Sequence, residues 1–479
     1  MHERAGLSYW SGQVLAEVEK VSHNFDPDPV HDLRVALRRC RSMADGFLPV
    51  DPDRGWKQLK KAGKELFSRL GNLRDMQVME EWVTRLGEPE NPIRRNLLAL
   101  FSSQEAQLKD DALAAVLAFD QNHWQTLSDR LAERTRAIPI EGLVFQHMAV
   151  ERWCQAHELH RQALRNRSQV SLHRLRIGLK KFRYLVENFL PQRHAKWGAD
   201  LKELQDLLGE IHDLDVLAGV LRVRRSLNAD DRRQWNAKIH KERQERLEKY
   251  REKMLGRHAL WPVWREGLPE GNRLEEAAMA RLRTWAEFLD PDVQHSRHVT
   301  QLALELYDGL VRDRVFRSSP KQRRILEAAA LLHDVGAVNG GHSHHKDSCR
   351  LIQKIPAPLG WRSADLRAIA AIARYHRGAL PRPEHKCLRY IPASARPGIM
   401  RLAGVLRLAN AFDGSHQRKI RSVHPERNDG LVIIHTDGYA ADDPSAERIA
   451  AARHLLEATC HIAVVARPSG EPQNIRTQQ

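Results

Sequence analysis

Imidazole and carboxylate side chains recur near the ends of predicted helices in the C-terminal half of the chain. His333 and Asp334 directly follow the apolar run Ala-Ala-Ala-Leu-Leu, where an ionisable pair is costly unless it has strong partners. His295 precedes this pair, and His376 and Asp413 follow it. Imidazole and carboxylate ligands from several helices suit a divalent transition metal. Such a metal, if it has an open position, lowers the pKa of bound water and polarises a phosphoryl oxygen. The pattern therefore predicts a divalent-metal site.

Further histidines extend this set. His344 and His345 lie in a Gly-rich turn between the His333-Asp334 pair and His376. Two metals about 3.5–4 Å apart clamp both the attacking and the leaving oxygen of a displacement. A lone helical histidine is more commonly packed or solvated. We interpret four other histidines in that way: His298, His342, His385 and His416.

A nineteen-residue segment that occurs twice indicates a second chemistry. HDLRVALRRCRSMADGFLP begins at His31, HRLRIGLKKFRYLVENFLP begins at His173, and eight positions are identical. At about 100° per residue each copy forms an amphipathic helix with one apolar face. The opposite faces carry almost unbroken positive charge, from His31, Arg34, Arg38 and Arg41 in the first copy and His173, Arg176, Lys180 and Arg183 in the second.

Two interpretations of the repeated basic face are open: a solvated surface or an anion-binding surface. Like charges at i,i+3 and i,i+4 destabilise a helix, and the chain accepts this cost twice at matching positions. Solvated faces usually mix signs, as in the stretch from Lys241 to Lys253. We therefore favour anion binding. If the two helices met face to face, they would line one channel.

The composition indicates a helix-rich protein with a polyanionic partner. The chain has 479 residues, of which 42% are hydrophobic, 29% charged and 6% aromatic, enough for two or more domains. Its net charge of +16 favours nucleic acid, polyphosphate or an acidic membrane surface as a partner. Five scattered cysteines without CxxC spacing indicate a reducing compartment. Because no secretory signal or membrane span is evident, we expect a cytoplasmic protein.

The duplication continues beyond the basic helices. LGNLRDMQV, from residue 70, matches LGEIHDLDV, from residue 208, which favours tandem helical bundles. We expect a mainly α architecture with a small β-strand element near the C-terminus. The predicted divisions are a first domain at 1–256 with bundles at about 8–150 and 151–256, a linker at 257–274, a second domain at 275–467 and a disordered tail at 468–479.

The doubled pattern H-x-L-R-x-x-L-[RK]-[RK]-x-R, followed by L-G-x-x-x-D, resembles the CHAD domain (conserved histidine α-helical domain) over about residues 8–256. The resemblance implies two pseudo-symmetric four-helix bundles that bind inorganic polyphosphate through a basic surface. The second helix pair departs from the pattern, with Arg74 in one repeat and His212 in the other. The implied polyphosphate-binding residues are His31, Arg34, Arg38, Arg39, Arg41, His173, Arg176, Lys180, Lys181 and Arg183.

The segments HSRHV, LLHDVG and LANAFD resemble the HD superfamily of metal-dependent phosphohydrolases. Through GHSHHKDSCRLI, IAAIARYHR and two strands that flank a helix, residues 275–467 are similar to the C-terminal domain of the Ppx/GppA exopolyphosphatase family. The resemblance implies one or two divalent metal ions (Mn, Mg or Fe) per domain. The implied ligands are His295, His333, Asp334, His344 or His345, His376 and Asp413.

Two functions compete. The first is a bacterial-type polyphosphate-binding protein whose HD half hydrolyses polyphosphate or a phosphorylated nucleotide. Its candidate catalytic residues are Asp334 and three cations that would neutralise charge on the transferring group: Lys346, Arg377 and Arg407. The second is a non-catalytic protein that is targeted to polyphosphate granules, its HD half a scaffold or sensor. Nucleic acid is disfavoured because the basic faces lack interleaved aromatic side chains, apart from Tyr184. Oligomerisation stays open.

Overall fold

The computed structural model describes residues 6–23, 25–223, 229–340, 343–440 and 445–469. The chain divides into two compact units, Met1–Ala277 and Ala278–Gln479. The described residues contain eighteen α-helices and three β-strands, so the mainly α architecture with a small C-terminal β element is confirmed. None of the described helices is long and apolar enough to cross a bilayer. His342 and residues 470–479 of the predicted tail lie outside the described residues.

The helices and strands follow in chain order. The first unit contains α1 (Leu7–His23), α2 (Pro27–Phe47), α3 (Gly55–Ala62), α4 (Lys64–Leu86), α5 (Pro92–Leu117), α6 (Gln121–Thr135), α7 (Leu143–Asn166), α8 (Gln169–Phe189), α9 (Pro191–Val223), α10 (Ala229–Met254) and α11 (Leu260–Glu266). α12 (Gly271–Glu287) spans the division. The second unit contains α13 (Val293–Arg312), α14 (Pro320–Leu331), α15 (His344–Lys354), α16 (Ser363–Arg374), α17 (Arg396–Phe412), β1 (Ser422–Asn428), β2 (Leu431–Asp437), α18 (Ala446–Cys460) and β3 (Ala463–Pro468).

The two basic helices, α2 and α8, bury the apolar faces that their periodicity predicts. α2 begins with Pro27 in its first turn, where the missing N–H has no intrahelical partner to lose. Leu33 and Leu37 of α2 are fully buried, as are Leu175 and Leu179 of α8. Burial of such a face, rather than intrinsic propensity, stabilises most helices in proteins.

Aromatic side chains join α2 to α8 at their C-terminal ends. Phe189 stacks on Phe145 of α7 with ring centroids 4.1 Å apart, and its edge meets Phe47 at 5.4 Å. Gly46 of α2 makes this contact possible, because a Cβ there would lie 2.3 Å from the Phe189 ring. The repeated helices are therefore in direct contact within the first unit.

A second shared core joins the later helices of both repeats. Trp82 of α4, Leu214 and Leu221 of α9 and Trp235 of α10 belong to one buried cluster. The helices that carry the repeated L-G-x-x-x-D motif, α4 and α9, thus contribute to a common core. The two bundles are held together along both helix pairs.

The short helix α11, within the predicted linker, packs on α7. Trp261 and Trp264 are buried, and the indole N–H of Trp153 donates to the carbonyl oxygen of Trp261 at 3.2 Å. The Trp261 ring centroid lies 5.5 Å from that of His160. These tryptophans fill a protein core and are not available to stack on a ligand.

The second unit combines helices α13 to α18 with a three-stranded sheet in the order β1-β2-β3. β1 and β2 are antiparallel, and Ile434 opposite Pro425 fixes their register. β2 and β3 are parallel, a pairing that requires a crossover, which α18 provides. α18 approaches α17 closely because residue 404 is glycine: a Cβ there would lie 2.9 Å from the backbone of Leu456.

Candidate metal centre and basic cluster

The ends of four helices in the second unit converge on one buried point. His295 lies in the first turn of α13, whose N-cap residue Asp292 accepts from the backbone N–H of His295 at 3.1 Å. One residue separates the His333-Asp334 pair from the end of α14, and one residue likewise separates His376 from the end of α16. His295, His333 and His376 are each at most 2% exposed.

Outer hydrogen bonds orient the three buried imidazoles. Nδ1 of His333 donates to the carbonyl oxygen of Ala330, and Nδ1 of His376 donates to that of Ala373, each at 2.7 Å. Nδ1 of His295 lies 2.8 Å from Oδ2 of Asp413. Because a partner outside the cluster occupies Nδ1, Nε2 of each ring points inward, the arrangement that metal-binding histidines adopt.

Asp334 lies at the centre of these rings. Its Oδ1 is 3.6 Å from Nε2 of His333, 3.3 Å from Nε2 of His344 and 3.4 Å from Nε2 of His376. Its Oδ2 is 3.9 Å from Nε2 of His295. Burial opposes ionisation, yet the surrounding imidazoles hold the pKa of Asp334 well below its ordinary value. The carboxylate is therefore ionised.

Asn410 of α17 completes the cluster. Its Oδ1 lies 3.1 Å from Nε2 of His295 and 3.2 Å from Nε2 of His333. This residue was not predicted as a site residue. The one signal available was its position in LANAFD, three residues before Asp413 and so almost one helical turn away.

Asp413 lies behind His295 and outside the inner group of ligand atoms. Its Oδ2 contacts Nδ1 of His295, and its Oδ1 accepts from the backbone N–H of Arg418 at 2.7 Å. Although burial opposes it, the carboxylates of Asp413 and Asp334 raise the pKa of His295. Asp413 is therefore placed to orient His295 and to strengthen it as a base, the role of an outer carboxylate at a metal site.

The donor set fits a divalent cation. Two groups of three have ligand atoms all within 4.8 Å of one another: His295, His333 and Asp334, and Asp334, His344 and His376. Burial keeps the pKa of His376 well below its ordinary value, so that ring is neutral. Within the described residues, Oδ1 of Asp334 is buried without a well-oriented hydrogen bond. Inward-facing acceptors require positive charge between them, which a metal ion or a proton on His295 provides.

His344 and His345, which are adjacent in the sequence, have different surroundings in the structure. Nε2 of His344 lies 3.3 Å from Nε2 of His376, within the second of the two groups. His345 is 7% exposed, and its Nε2 would lie 3.0 Å from a Cβ on Gly378. Burial, aided by Arg374, lowers the pKa of His345 to about 4. His345 therefore packs beside the cluster, and His344 belongs to it.

Gly336 holds the His-Asp turn against α15. A Cβ at this position would lie 2.3 Å from the carbonyl oxygen of His344 and from the backbone nitrogen of Ser348. The Ser348 hydroxyl accepts from the backbone N–H of Gly336 at 2.9 Å. The glycine of LLHDVG is therefore required because the turn after Asp334 touches the backbone of the helix that carries His344.

The other histidines differ in their surroundings. Nε2 of His298 donates to the carbonyl oxygen of Ile420 at 2.8 Å. Nδ1 of His385 is 2.7 Å from the Tyr375 hydroxyl. The His416 ring stacks on that of His295 with centroids 3.8 Å apart and contacts Asp292. His298 and His385 are thus packing residues, whereas His416 packs against His295, one of the possible metal ligands.

A cavity of about 690 Å³ adjoins Asp334, His344, His376 and Asn410. Its remaining lining residues are Ala337, Arg377, Gly378, Arg407, Ala411, Gly414, His416, Arg448, Ala451 and Ala452.

The predicted catalytic cations occupy different surroundings. Arg377 is exposed and lines the cavity. Arg407 also lines it, but its guanidinium donates to the carbonyl oxygens of Gly378 (2.8 Å) and Tyr375 (3.4 Å). Arg407 thereby holds the backbone on both sides of His376. Lys346 is exposed on α15 and is not among the residues that line the cavity.

In the first unit the basic faces of α2 and α8 meet around Tyr184. The Arg38 guanidinium carbon lies 5.9 Å from the Tyr184 ring centroid, and Nζ of Lys180 lies 5.6 Å from it. Burial, together with Arg176, Arg38 and Arg34, lowers the pKa of Lys180 to about 8. Burial contributes most to this shift, and the three arginines add to it because they lie near Lys180. We call Arg34, Arg38, Arg176 and Lys180 the basic cluster.

Three of the predicted anion-binding residues contact other groups of the first unit, and one of the three joins the two basic helices. Arg39 contacts Glu187 and donates to Oδ1 of Asn188 at 3.1 Å, which joins α2 to α8. Arg41 donates to the carbonyl oxygen of Lys60 at 3.0 Å. Arg183 lies 3.9 Å from Glu187. These three side chains have partners within the protein.

The remaining predicted residues border the basic cluster. His31 and Arg34 line a cavity together with Arg74. The ring centroid of His173 lies 4.7 Å from that of His212. Arg74 and His212, where the sequence departs from its repeat pattern, are therefore beside predicted anion-binding residues. Lys181 is exposed and lines a separate cavity beside Tyr184.

Acidic side chains lie beside the basic cluster and reduce its positive electrostatic potential. Asp75 lies 3.9 Å from Arg34 and is largely exposed. Asp213, at the matching position of the second repeat, is more enclosed, and burial raises its pKa to about 6. Asp213 lines a cavity of about 410 Å³ with Arg74 and Arg176. The cluster is cationic but contains carboxylates at its border.

The fold and the two sites define a helical anion-binding unit followed by a helical unit with a His/Asp centre. A family model of the CHAD domain matches residues 11–222, and a model of the Ppx/GppA phosphatase, domain III, matches residues 280–435. No curated protein matches the chain significantly. The chain therefore joins a CHAD domain to a Ppx/GppA domain III, and it is a polyphosphate-related protein.

Proposed function

We propose that the first unit binds inorganic polyphosphate and that the second is a metal-dependent phosphohydrolase acting on polyphosphate or a phosphorylated nucleotide. The observation that carries the proposal is the set of possible ligand atoms that converge on Asp334: Nε2 atoms of His333, His344 and His376, and Oδ1 of Asn410. We expect a cytoplasmic protein.

The basic cluster supports the polyphosphate part. Arg34, Arg38 and Arg176 lie close enough to Lys180 for their positive charges to add to the effect of burial in lowering its pKa. A polyanion relieves this repulsion when it binds. Guanidinium groups also suit phosphate because their planar fork donates two parallel hydrogen bonds.

The second unit would hold one or two ions of Mn, Mg or Fe. His295, His333 and Asp334 would hold one ion, and Asp334, His344 and His376 the other. Bound there, a divalent ion would activate water and polarise a phosphoryl oxygen. Asp413 keeps Nε2 of His295 directed inward, Arg407 keeps the backbone at His376 in place, and Arg377 faces the cavity where the phosphate would lie.

Hydrolysis is tested with the purified full chain. Phosphate release is measured from long-chain polyphosphate, ATP and phenyl phosphate in the presence of Mn²⁺ or Mg²⁺. We expect release that His333→Gln abolishes and that Arg317→Ala, a change at an exposed residue outside the cavity lining, leaves intact. No release from any substrate with either metal would rule out the phosphohydrolase.

A second candidate is a non-catalytic polyphosphate-binding protein, targeted to polyphosphate granules, whose second unit is a scaffold or sensor. Asn410 favours it, because a neutral amide oxygen lies beside His295 and His333 while the Asp413 carboxylate lies behind His295. Fewer anionic ligands weaken the hold on a divalent ion. Metal analysis distinguishes the candidates: about two equivalents of Mn or Fe favour catalysis, and none favours a scaffold.

Competition tests the choice of polyanion. Long-chain polyphosphate and duplex DNA are compared at equal charge concentration on the full chain. We expect polyphosphate to remain bound, since Tyr184 is surrounded by Arg38, Lys180 and Arg183 and is not a platform for successive bases. If DNA displaced polyphosphate at equal charge concentration, the assignment of polyphosphate as the specific ligand would be wrong.

A further inference from the structure

The cavity beside the metal centre has walls of different chemistry. Its volume of about 690 Å³ lies in the range of pockets that bind whole small molecules. Asp334, His344, His376 and Asn410 form one wall. Much of the rest is made of small, uncharged residues: Ala337, Gly378, Ala411, Gly414, Ala451 and Ala452. The cavity is therefore larger than a phosphate group requires, and much of its lining carries no charge.

Arg448 reaches this cavity from α18 because two glycines leave room for it. Gly404 allows α18 to approach α17, as described above. A Cβ on Gly414 would lie 2.1 Å from Nη1 and 2.8 Å from Cδ of Arg448. The Arg448 side chain therefore lies flat against the backbone of Gly414, directly after Asp413. Any side chain at residue 414 would displace the guanidinium.

The three arginines that line the cavity differ in what their guanidinium groups bind. Arg407 donates to the carbonyl oxygens of Gly378 and Tyr375. Within the described residues, neither Arg377 nor Arg448 forms a hydrogen bond or an ion pair, and of these two it is Arg448 whose guanidinium lies against the backbone of Gly414. A guanidinium group in this state matches the geometry of a phosphate group.

The alanine wall limits what can be attached to that phosphate. An inorganic polyphosphate chain is charged at every phosphorus and needs cations or water along its length. The methyl groups of Ala411, Ala451 and Ala452 provide neither, and they favour an uncharged organic group by excluding water from it. The wall thus matches the organic part of a phosphate ester.

We propose that Arg448 binds the phosphate of an organic phosphate ester in this cavity and that the alanine wall contacts its organic part. This rests on the proposed function of the second unit and narrows its substrate class. Polyphosphate would then be the ligand of the first unit and an organic phosphate the ligand of the second. Arg448 is a binding residue that the sequence did not indicate.

The test uses the full chain with Mn²⁺ and measures binding of phenyl phosphate and inorganic phosphate by calorimetry. Because the first unit is unchanged in every variant, differences from the wild type report on this cavity. Arg448→Ala should weaken both ligands about tenfold or more, as expected when charge-assisted hydrogen bonds are removed. Arg448→Lys keeps the charge without the fork and should have a smaller effect. Arg317→Ala should change neither affinity.

Ala451→Leu separates the two parts of the proposal. Ala451 is exposed and lines the cavity, so leucine adds volume there without entering the protein core. Phenyl phosphate should bind about tenfold more weakly and inorganic phosphate should be unaffected. Equal binding of phenyl phosphate by the wild type and Arg448→Ala would overturn the proposal. So would a larger decrease in affinity for tripolyphosphate than for phenyl phosphate in Arg448→Ala.

Failure of the proposed function gives a different result. The protein could retain no Mn²⁺ and release no phosphate, yet bind phenyl phosphate in EDTA with an affinity that depends on Arg448. That result would contradict the proposed phosphohydrolase and support the proposed binding site. Alternatively, the wild type and Arg448→Ala could hydrolyse phenyl phosphate with the same KM. That result would support the phosphohydrolase and contradict the proposed binding site.

Discussion

At the scale of single residues, Asp334 is the one carboxylate in the two groups of possible ligands, and Asn410 beside it contributes a neutral amide oxygen. Its Oδ1 lies 3.1 Å from Nε2 of His295. Asn410→Asp would place a second carboxylate in the cluster. We expect Mn²⁺ to bind about tenfold more tightly or better, because the affinity of an oxygen-ligand site for a divalent cation rises with the number of anionic ligands. Calorimetric titration with Mn²⁺ measures this change.

The matched control for that change is Asn96→Asp, which adds the same charge at an exposed position on α5. It should leave the Mn²⁺ affinity as it is. Asp413→Ala should weaken Mn²⁺ about 10–100-fold, the usual effect of removing an outer partner of a histidine ligand. An unchanged affinity in Asn410→Asp would place Asn410 outside the coordination sphere.

Lys180 gives the basic cluster a pH dependence. Burial and the neighbouring cations Arg176, Arg38 and Arg34 lower its pKa to about 8, with Asp75 opposing them. Bound polyphosphate stabilises the charged form and raises this pKa, so binding takes up a proton when the pH is above 8. Affinity for long-chain polyphosphate should therefore fall as the pH rises from 8 to 10, by up to about tenfold per pH unit.

Lys180→Arg checks that pH dependence, because a guanidinium keeps its charge throughout this range. The affinity of this variant should stay nearly constant where that of the wild type falls. Lys181→Arg, a change at the neighbouring exposed lysine, should behave as the wild type does. Identical pH profiles for the wild type and Lys180→Arg would mean that Lys180 does not contact the polyanion.

At the scale of helices and strands, the contact between α2 and α8 depends on a residue without a side chain. A Cβ at Gly46 would lie 2.3 Å from the Phe189 ring, and stacking on Phe145 restricts movement of that ring. Gly46→Ala should therefore lower the free energy of unfolding by about 1–3 kcal/mol, the usual cost of overpacking. Urea unfolding followed by circular dichroism measures it.

Gly71 of α4 provides a control with the opposite sign. It is also a helical glycine, but a Cβ there would meet nothing within 4 Å. Gly71→Ala should raise the free energy of unfolding by about 0.5–1 kcal/mol through helix propensity alone. If both substitutions stabilised the protein, the close contact between Gly46 and Phe189 would not exist in solution.

Local patterns predicted the elements whose buried faces are periodic and missed features that depend on pairing or packing with another element. The apolar faces of α2 and α8 follow from helical spacing alone. β1, with the sequence SVHPERN, has too few apolar residues to indicate a strand, and it forms because β2 pairs with it. Whether Asn410 or Asp413 faces the centre depends on the rotation of α17. That rotation depends on the packing of α17 against α18 at Gly404. α18 follows in the sequence only after β1 and β2.

At the scale of the whole molecule, the net charge of +16 attracts any polyanion, so the arrangement of charge has to be separated from its amount. Two variants remove three positive charges each and so leave a net charge of +13, since 16 − 3 = 13. One replaces Arg34, Arg38 and Arg176 of the basic cluster by alanine. The other replaces three exposed cations elsewhere on the first unit: Lys57, Arg95 and Lys241.

The cluster variant should bind long-chain polyphosphate at least about tenfold more weakly than the wild type. Its plot of log Kd against log salt concentration should also be shallower by about three, because three cations no longer neutralise phosphate groups. The dispersed variant should stay within about threefold of the wild type, because exposed charges beyond a Debye length of about 8 Å are largely screened at physiological salt. An equal decrease in affinity in the two variants would mean that total charge, and not the convergence of α2 and α8 around Tyr184, holds the polyanion.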